Sequence, residues 1–201
     1  MNKDLLEKIQ RLNAIADAGL KYGSKEFDQD RYEELKKVTR ELLMLMGNLS
    51  SEEVENIFPK IPVYPTPSID VRNFLIEDGK VLLIKDKKSK EWSLPGGYAE
   101  VGINLSDNAL KELQEEAGVL GRINRLLAIF DTNKYNPQLT QYYKCVFLVD
   151  KLSMHFVENL ETEEAKFFAL DKLPNLSKVR NTEEQIKVLY DLYEKGETLI
   201  D

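Results

Sequence analysis

Three glutamates, Glu112, Glu115 and Glu116, follow a double glycine, Gly96-Gly97, along one stretch of chain. Residues three and four apart share a helix face, so the three carboxylates can converge on one side. Like charges at that spacing repel, and a purely structural helix gains little from them. A hard divalent cation reverses the balance, because Mg²⁺ takes oxygen ligands and completes its shell with water and substrate phosphates. The glycines let the backbone turn closely under the helix end, where amides can meet phosphate oxygens. Taken singly, the glutamates describe a solvated helix face. Joined to the double glycine and to Gly118 as a stop, they describe a site for metal-assisted phosphate chemistry.

Positioning them requires a helix over about 106–117, capped by Asn104 to Ser106 and turned inward on Leu110, Leu113 and Ala117, with Ala109 at the border. Gly118 ends it in a left-handed conformation. Around this helix the pattern is β-like: IDVRNFLI from Ile69, an Asp78-Gly79 turn, VLLIKD, then RLLAIFD at 125–131, YYKCVFLVD at 142–150 and AKFFAL at 165–170. A last helix runs from about Thr182 to Tyr193, with Ile186, Leu189 and Tyr193 on one side. Strands with helices before and after them predict an α+β or three-layer α/β/α domain.

The first 58 residues read differently. Leu5, Ile9, Leu12 and Ala16, then Tyr32, Leu35, Val38, Leu42 and Leu45, recur at helical spacing on either side of a polar interval at Gly23 and Ser24. They predict an antiparallel helical pair, followed by a short helix whose Ser50 and Glu53 form a capping box and which ends at Pro59. Prolines 62, 65 and 67 then mark an extended connector. The predicted division is a helical N-terminal domain at 1–60 and a second domain at 67–201. The helical stripe serves either as a dimerisation face or as packing against its own main domain.

Composition narrows the partners. Twenty-eight Lys and Arg against 35 Asp and Glu give a formal net charge of −7, which disfavours nucleic acid and anionic membrane surfaces as ligands. A small phosphorylated ligand is compatible if a bound cation supplies positive charge. The single cysteine, Cys145, lies in an apolar run and reads as a core residue of a chain without an internal disulfide. The start MNKDLLEKIQ lacks a signal-peptide apolar stretch, and the run LLMLM at 42–46 is far short of the roughly 20 residues that cross a bilayer. The expectation is a cytoplasmic protein.

The stretch LPGGYAEVGINLSDNALKELQEEAGV resembles the signature of the Nudix hydrolases. Gly97 matches its first position, and Glu112, Leu113, Glu115, Glu116, Gly118 and Val119 match its end at the required separations. Ile103 stands where the first glutamate is usual, and Lys111 stands where arginine is usual. Ile103 cannot hold a metal, and Lys111 keeps charge without the guanidinium fork. Across nearly the whole chain, the helical start, the proline connector, EWSLPGGYAEVG and FFALDKLPNLSKVRNTEEQI are similar to a bacterial subgroup containing CDP-choline pyrophosphatase-like and ADP-ribose pyrophosphatase-like enzymes. The resemblance implies a Nudix-type α/β/α sandwich with a mixed sheet behind a small all-helical domain.

It further implies Mg²⁺- or Mn²⁺-dependent cleavage of a nucleoside diphosphate linked to a second group, CDP-choline or ADP-ribose; the expectation of a homodimer rests instead on the apolar stripes at 5–16 and 32–46 and on the extended connector. The metal would be held by Glu112, Glu115, Glu116 and Gly97, with Glu116 foremost. Glu100 and Glu164 are expected either to assist as base or second-metal ligand or to be plain solvated carboxylates. Gly96, Gly97, Tyr98, Tyr135 and Arg72 are the expected substrate contacts, with a salt bridge to Asp70 as the other reading of Arg72. The loop at 133–141 is expected to help choose the base. Trp92 is read as a loop anchor or a stacking platform, and the lone His155 as a surface residue. Arg180 and Gln185 belong to the subgroup pattern without an assigned role. The competing reading is a Nudix-like domain that binds a nucleotide sugar without cleaving it.

Overall fold

Amphipathic periodicity builds α1 (Lys3–Tyr22) and α2 (Glu26–Gly47) in the computed structural model, which describes residues 3–22, 26–47, 49–57, 67–135 and 142–201. Lys36 pairs with Asp17 at 2.7 Å and Gln29 donates to the Leu20 carbonyl at 3.1 Å, so numbers rise on one helix as they fall on the other and the pair is antiparallel. The short α3 (Ser51–Ile57) opens with the expected capping box: Glu53 N–H donates to Ser50 Oγ at 3.3 Å and Ser50 N–H donates to Glu53 Oε2 at 2.8 Å. Ile9, Leu43 and Val54 form the small core of this unit, while Val38, Leu42 and Leu45 stay exposed, Leu45 at 83%.

By its contacts the chain divides into two compact units, Met1–Thr66 with Glu100–Gly102, and Pro67–Ala99 with Ile103–Asp201. In the second unit, β1 (Ser68–Phe74) runs parallel to β6 (Tyr142–Met154), which is antiparallel to β5 (Val119–Asp131), itself parallel to the two-residue β8 (Leu199–Ile200). A second, antiparallel sheet pairs β3 (Lys80–Asp86) with β2 (Ile76–Glu77), β4 (Trp92–Ser93) and β7 (Thr162–Ala169). Asp78 and Gly79 both have positive φ, 49° and 70°, as a tight two-residue hairpin demands.

Alternation along the strands feeds two cores. Val71, Cys145 and Phe147 meet Ala109, Leu113 and Ala117 of α4 (Leu105–Ala117), whereas Phe74, Phe130 and Val146 meet Ile186 and Leu189 of α6 (Glu183–Lys195). This is the expected α+β, three-layer arrangement with a mixed sheet. Two expectations fell short. Strand β5 begins at Val119, six residues before the apolar run at 125; its first half mixes Val119, Leu120 and Ile123 with Gly121, Arg122 and Asn124 and is interrupted by register shifts, so it shows no clean alternation, and β8 is too short to leave a pattern. Among the described residues no helix is long and apolar enough to cross a membrane. Gly23, Ser24, Pro59, Pro62, Pro65 and positions 136–141 of the loop expected to choose the base lie outside the described residues.

Candidate active site

Helix α4 is fixed at both ends by its own sequence. The Asn104 side chain accepts from Asp107 N–H at 2.9 Å, and Gly118 adopts φ 63° while donating to the Gln114 carbonyl at 3.0 Å. The buried Asn73 of β1 donates to the Ala109 carbonyl of the helix at 2.7 Å and to the Pro95 carbonyl at 3.3 Å, which ties helix, strand and glycine loop together. That loop runs beside β1: Val71 N–H donates to Gly97 O at 2.8 Å and Ala99 N–H to Ile69 O at 2.9 Å. At Gly96, φ is 144° and a Cβ would lie 2.0 Å from the Val71 carbonyl oxygen, so the close approach excludes any side chain.

Two of the three helix carboxylates arrive at this turn. Gly96 N–H donates to Glu116 Oε2 at 2.6 Å, and a Cβ on Gly97 would stand 3.0 Å from Glu112 Oε2. Glu115 does not join them. Its carboxylate sits 3.1 Å from Lys111 Nζ one turn back and its side chain is 57% exposed. The three side chains fan across the helix surface, and Lys111 draws the outermost away from its repelling neighbours. Burial pushes the Glu116 carboxyl up to about 7; Arg72, the Gly96 amide and Arg180 oppose the rise and Glu112 adds to it.

Asp70, Arg72, Gly96, Gly97, Tyr98, Glu112, Glu116, Tyr142, Glu161, Val179 and Arg180 line one cavity of about 390 Å³. At its base Arg72 forms a buried bidentate pair with Asp70, Nε to Oδ1 at 2.8 Å and Nη2 to Oδ2 at 2.6 Å, and its Nη1 donates to Leu94 O at 3.1 Å. Burial would lower the guanidinium pKa, but Asp70 more than offsets it and the net direction is upward. Lys144, in register with Asp70 on the neighbouring strand and only 2% exposed, is lowered to about 7 by burial and then by the charge of Arg72. Tyr98 is exposed and packs edge-to-face on Tyr142 with ring centroids 5.9 Å apart.

The remaining expected site residues fall elsewhere. Tyr135 packs edge-to-face on Phe130 beside the α6 core and does not line this cavity. Glu164 lies on β7 paired with Lys85 at 3.1 Å and with Lys166; Glu161, three residues earlier, is the acidic residue of that stretch that reaches the cavity. No residue type or spacing distinguishes Glu161 from Glu163 and Glu164, so the sequence held no signal for the choice. Glu100 groups with the helical unit and is absent from the lining. Trp92 is buried and packs edge-to-face on Phe168, the loop-anchor reading, and His155 is exposed. Gln185 completes a capping box with Thr182, which answers its place in the pattern.

The family model for the Nudix domain matches residues 66–192, and a second model, described as a UDP-X-like, N-terminal oligomerisation domain, matches residues 3–58. The chain belongs to the Nudix hydrolases. A crystal structure of a UDP-X diphosphatase is similar over 98% of both chains, with 41% identity and a TM-score of 0.71. YjhB of Bacillus subtilis, provisionally named an ADP-ribose pyrophosphatase, is 37% identical over 188 residues, 92% of this chain and 90% of its own. The structure of an ADP-ribose pyrophosphatase from Streptococcus suis is 36% identical, covering 68% of this chain and all of that one, with a TM-score of 0.62.

The protein is accordingly a Nudix pyrophosphohydrolase, of a family that typically employs divalent metal ions. Its own residues fit such an ion. Glu112 and Glu116 bring hard oxygen donors to one glycine turn, the donor type that a hard divalent cation takes. Among the described residues no three acidic, histidine or cysteine groups gather tightly enough to form a cage by themselves. Mg²⁺ does not need one, since it binds through one or two carboxylates and keeps water or phosphate as its other ligands.

Proposed function

We propose that the protein hydrolyses the diphosphate linkage of a nucleoside diphosphate joined to a second group, releasing a nucleoside monophosphate and the phosphorylated group. ADP-ribose is the favoured substrate and CDP-choline the alternative, with Mg²⁺ or Mn²⁺ held by Glu112 and Glu116, the Gly97 carbonyl and, once released from Lys111, Glu115. The observation that carries this is that both carboxylates meet the Gly96-Gly97 turn in the same cavity that two arginines line. When bound, the ion neutralises phosphate oxygens and lowers the pKa of a coordinated water. Gly96 N–H fixes one oxygen of Glu116 and so orients the other. The Arg72–Asp70 pair forms a rigid base, and Tyr98 offers an exposed ring for a nucleobase. Similarity to two proteins named for ADP-ribose supports that substrate over CDP-choline.

Residues 67–201 would then be the catalytic domain and residues 1–60 the assembly arm of a homodimer, a reading supported by the exposed Val38, Leu42 and Leu45 and by the description of the family model matched there. An acidic chain of this kind takes a small nucleotide rather than nucleic acid or membrane as its partner. The test is a panel of ADP-ribose, UDP-glucose, CDP-choline, CDP-ethanolamine, NADH and nucleoside triphosphates, with Mg²⁺ or Mn²⁺ in isotope-labelled water. Label on a phosphate of the monophosphate or of the phosphorylated group is expected. Release of free base, or preference for triphosphates, overturns the reading. Sedimentation as a monomer across a wide concentration range overturns the dimer.

A further inference from the structure

The cavity holds two arginines, and they differ in how much of their hydrogen-bonding capacity is already committed. All three nitrogens of Arg72 are engaged, two by Asp70 and one by the Leu94 carbonyl, beneath a surface that buries the whole side chain. The Arg180 side chain makes one hydrogen bond among the described residues, Nη2 to Asp86 Oδ2 at 2.6 Å, and 34% of it is exposed. Its Nε and Nη1 are left to whatever enters.

Both members of the Arg180–Asp86 pair are anchored by backbone. Asp86 closes β3, and its other oxygen, Oδ1, accepts from Ser89 N–H at 2.7 Å, Lys88 N–H at 3.0 Å and Ser89 Oγ at 3.0 Å. The carboxylate is therefore aimed by the turn rather than by the arginine. On the other side, the segment 177–182 is tied down by Ser177 N–H to Trp92 O at 2.8 Å, by Arg180 N–H to Ser177 O at 2.9 Å, and by the Asn181 side chain accepting from Leu94 N–H at 2.8 Å. Such a loop delivers a guanidinium at low cost in conformational entropy.

A doubly anionic substrate meets four carboxylates in this cavity, from Asp70, Glu112, Glu116 and Glu161, and a cation bound by the α4 pair answers only one end of it. We propose that Arg180 grips the substrate's diphosphate from the wall formed by the 177–182 loop, with Asp86 as the positioning residue that holds its guanidinium. A guanidinium held through Nη2 alone keeps N–H donors on Nε and Nη1, and phosphate oxygens are strong acceptors for such charge-assisted bonds. The proposal rests on the substrate reading above for the identity of the ligand, though not for the site itself.

Two measurements on the full chain with Mg²⁺ test it. In steady state with ADP-ribose, Arg180→Ala is expected to raise KM about ten- to a hundredfold, as loss of a charge-assisted bond to phosphate implies, with kcat changed far less; Arg180→Lys should fall between. Asp86→Asn should raise KM by a smaller factor and add nothing further on top of Arg180→Ala, whereas a merely structural aspartate would add its own loss. Calorimetric titration with inorganic pyrophosphate reads the same site without turnover, and Arg180→Ala should bind about tenfold or more weakly than the wild-type protein. Absence of turnover across the panel with pyrophosphate binding still lost in Arg180→Ala would sink the substrate reading and leave this site standing. Equal pyrophosphate affinity in folded Arg180→Ala, or no binding to the wild-type chain, overturns the proposal.

Discussion

The two arginines of the cavity each arrive with a carboxylate of their own, Arg72 with Asp70 and Arg180 with Asp86, so positive charge enters the site already balanced. The acidic wall on α4 is built the other way. Glu116 receives one amide from Gly96 and then faces Glu112, a like charge that raises its pKa further. Asp86, which burial alone would push up, is brought down to about 2 by the Ser89 amide and Arg180; Glu116 rises to about 7. The pairs make rigid fixtures. Arg72, Arg180 and the Gly96 amide offset the burial of Glu116 only in part, and the deficit of positive charge that remains there is where a cation would act.

The sharpest way to break this contrast is Glu116→Gln, which keeps shape and removes one anionic oxygen. If metal-assisted charge stabilisation depends on this carboxylate, kcat should fall by roughly two to five orders of magnitude with Mg²⁺ present. A folded variant keeping more than about a third of wild-type kcat would remove Glu116 from the metal site. Glu52→Gln, on the exposed start of α3, serves as the silent control.

Next in size is Gly96→Ala. The new Cβ would strike the Val71 carbonyl at 2.0 Å on a backbone with φ 144°, and the amide that holds Glu116 would have to move. A cost of about 3 kcal/mol is expected, a fall in Tm of about 6 to 12 °C for a chain of this size. Gly79→Ala is the comparison, with a positive φ of 70° but open space around it; its loss should be about 1 kcal/mol. Equal losses at the two positions would mean that the close packing of loop against β1 is not what fixes Gly96.

The sequence was informative wherever local chemistry decides the outcome. The Asn104 cap, the Gly118 stop, the Asp78-Gly79 turn and the Ser50–Glu53 box all follow from side chains acting on their own backbone, and each appears as expected. Glu112 and Glu116, a helical turn apart, likewise reach one place. Three-dimensional pairing was less legible. Glu115 looked equivalent to its neighbours by spacing, yet Lys111 turns it outward. Arg180 acquires a partner 94 residues away, and Glu161 rather than Glu164 faces the cavity because of how the turn before β7 runs. Long-range choices of that kind leave no periodicity to read.

A smaller effect tests the charge deficit in the metal-free protein. A carboxyl whose folded pKa lies above its unfolded value favours the folded state most when protonated, so the stability it contributes is lost as pH rises from about 4.5 through about 7. Glu116→Gln cannot lose that proton. In EDTA its Tm should match the wild-type protein near pH 4.5 and exceed it by a few degrees at pH 8, where the wild-type group is ionised beside Glu112. Added Mg²⁺ should raise the wild-type Tm more than that of the variant. A Glu116→Gln protein less stable than wild type at pH 8 without metal would mean the amide of Gly96 compensates the carboxylate fully and no deficit exists.

The smallest effect expected is at Glu164, and it is informative because the family resemblance singled that residue out as a base or second-metal ligand. Its half-buried carboxylate lies on β7 between Lys166 and Lys85, which lower its pKa, and it is absent from the cavity that holds Glu112 and Glu116. Ion pairs that keep this much access to solvent contribute little to stability and are screened by salt. Glu164→Gln should therefore change kcat and KM by less than about twofold, within what such a pair can transmit, and leave Tm nearly unmoved. Glu161→Gln, on the residue that does line the cavity, should change kcat or KM by more than Glu164→Gln under the same conditions. If the order is reversed, with Glu164→Gln the damaging change, then β7 must present its other face to the substrate during turnover, and the assignment of this cavity wall falls with it.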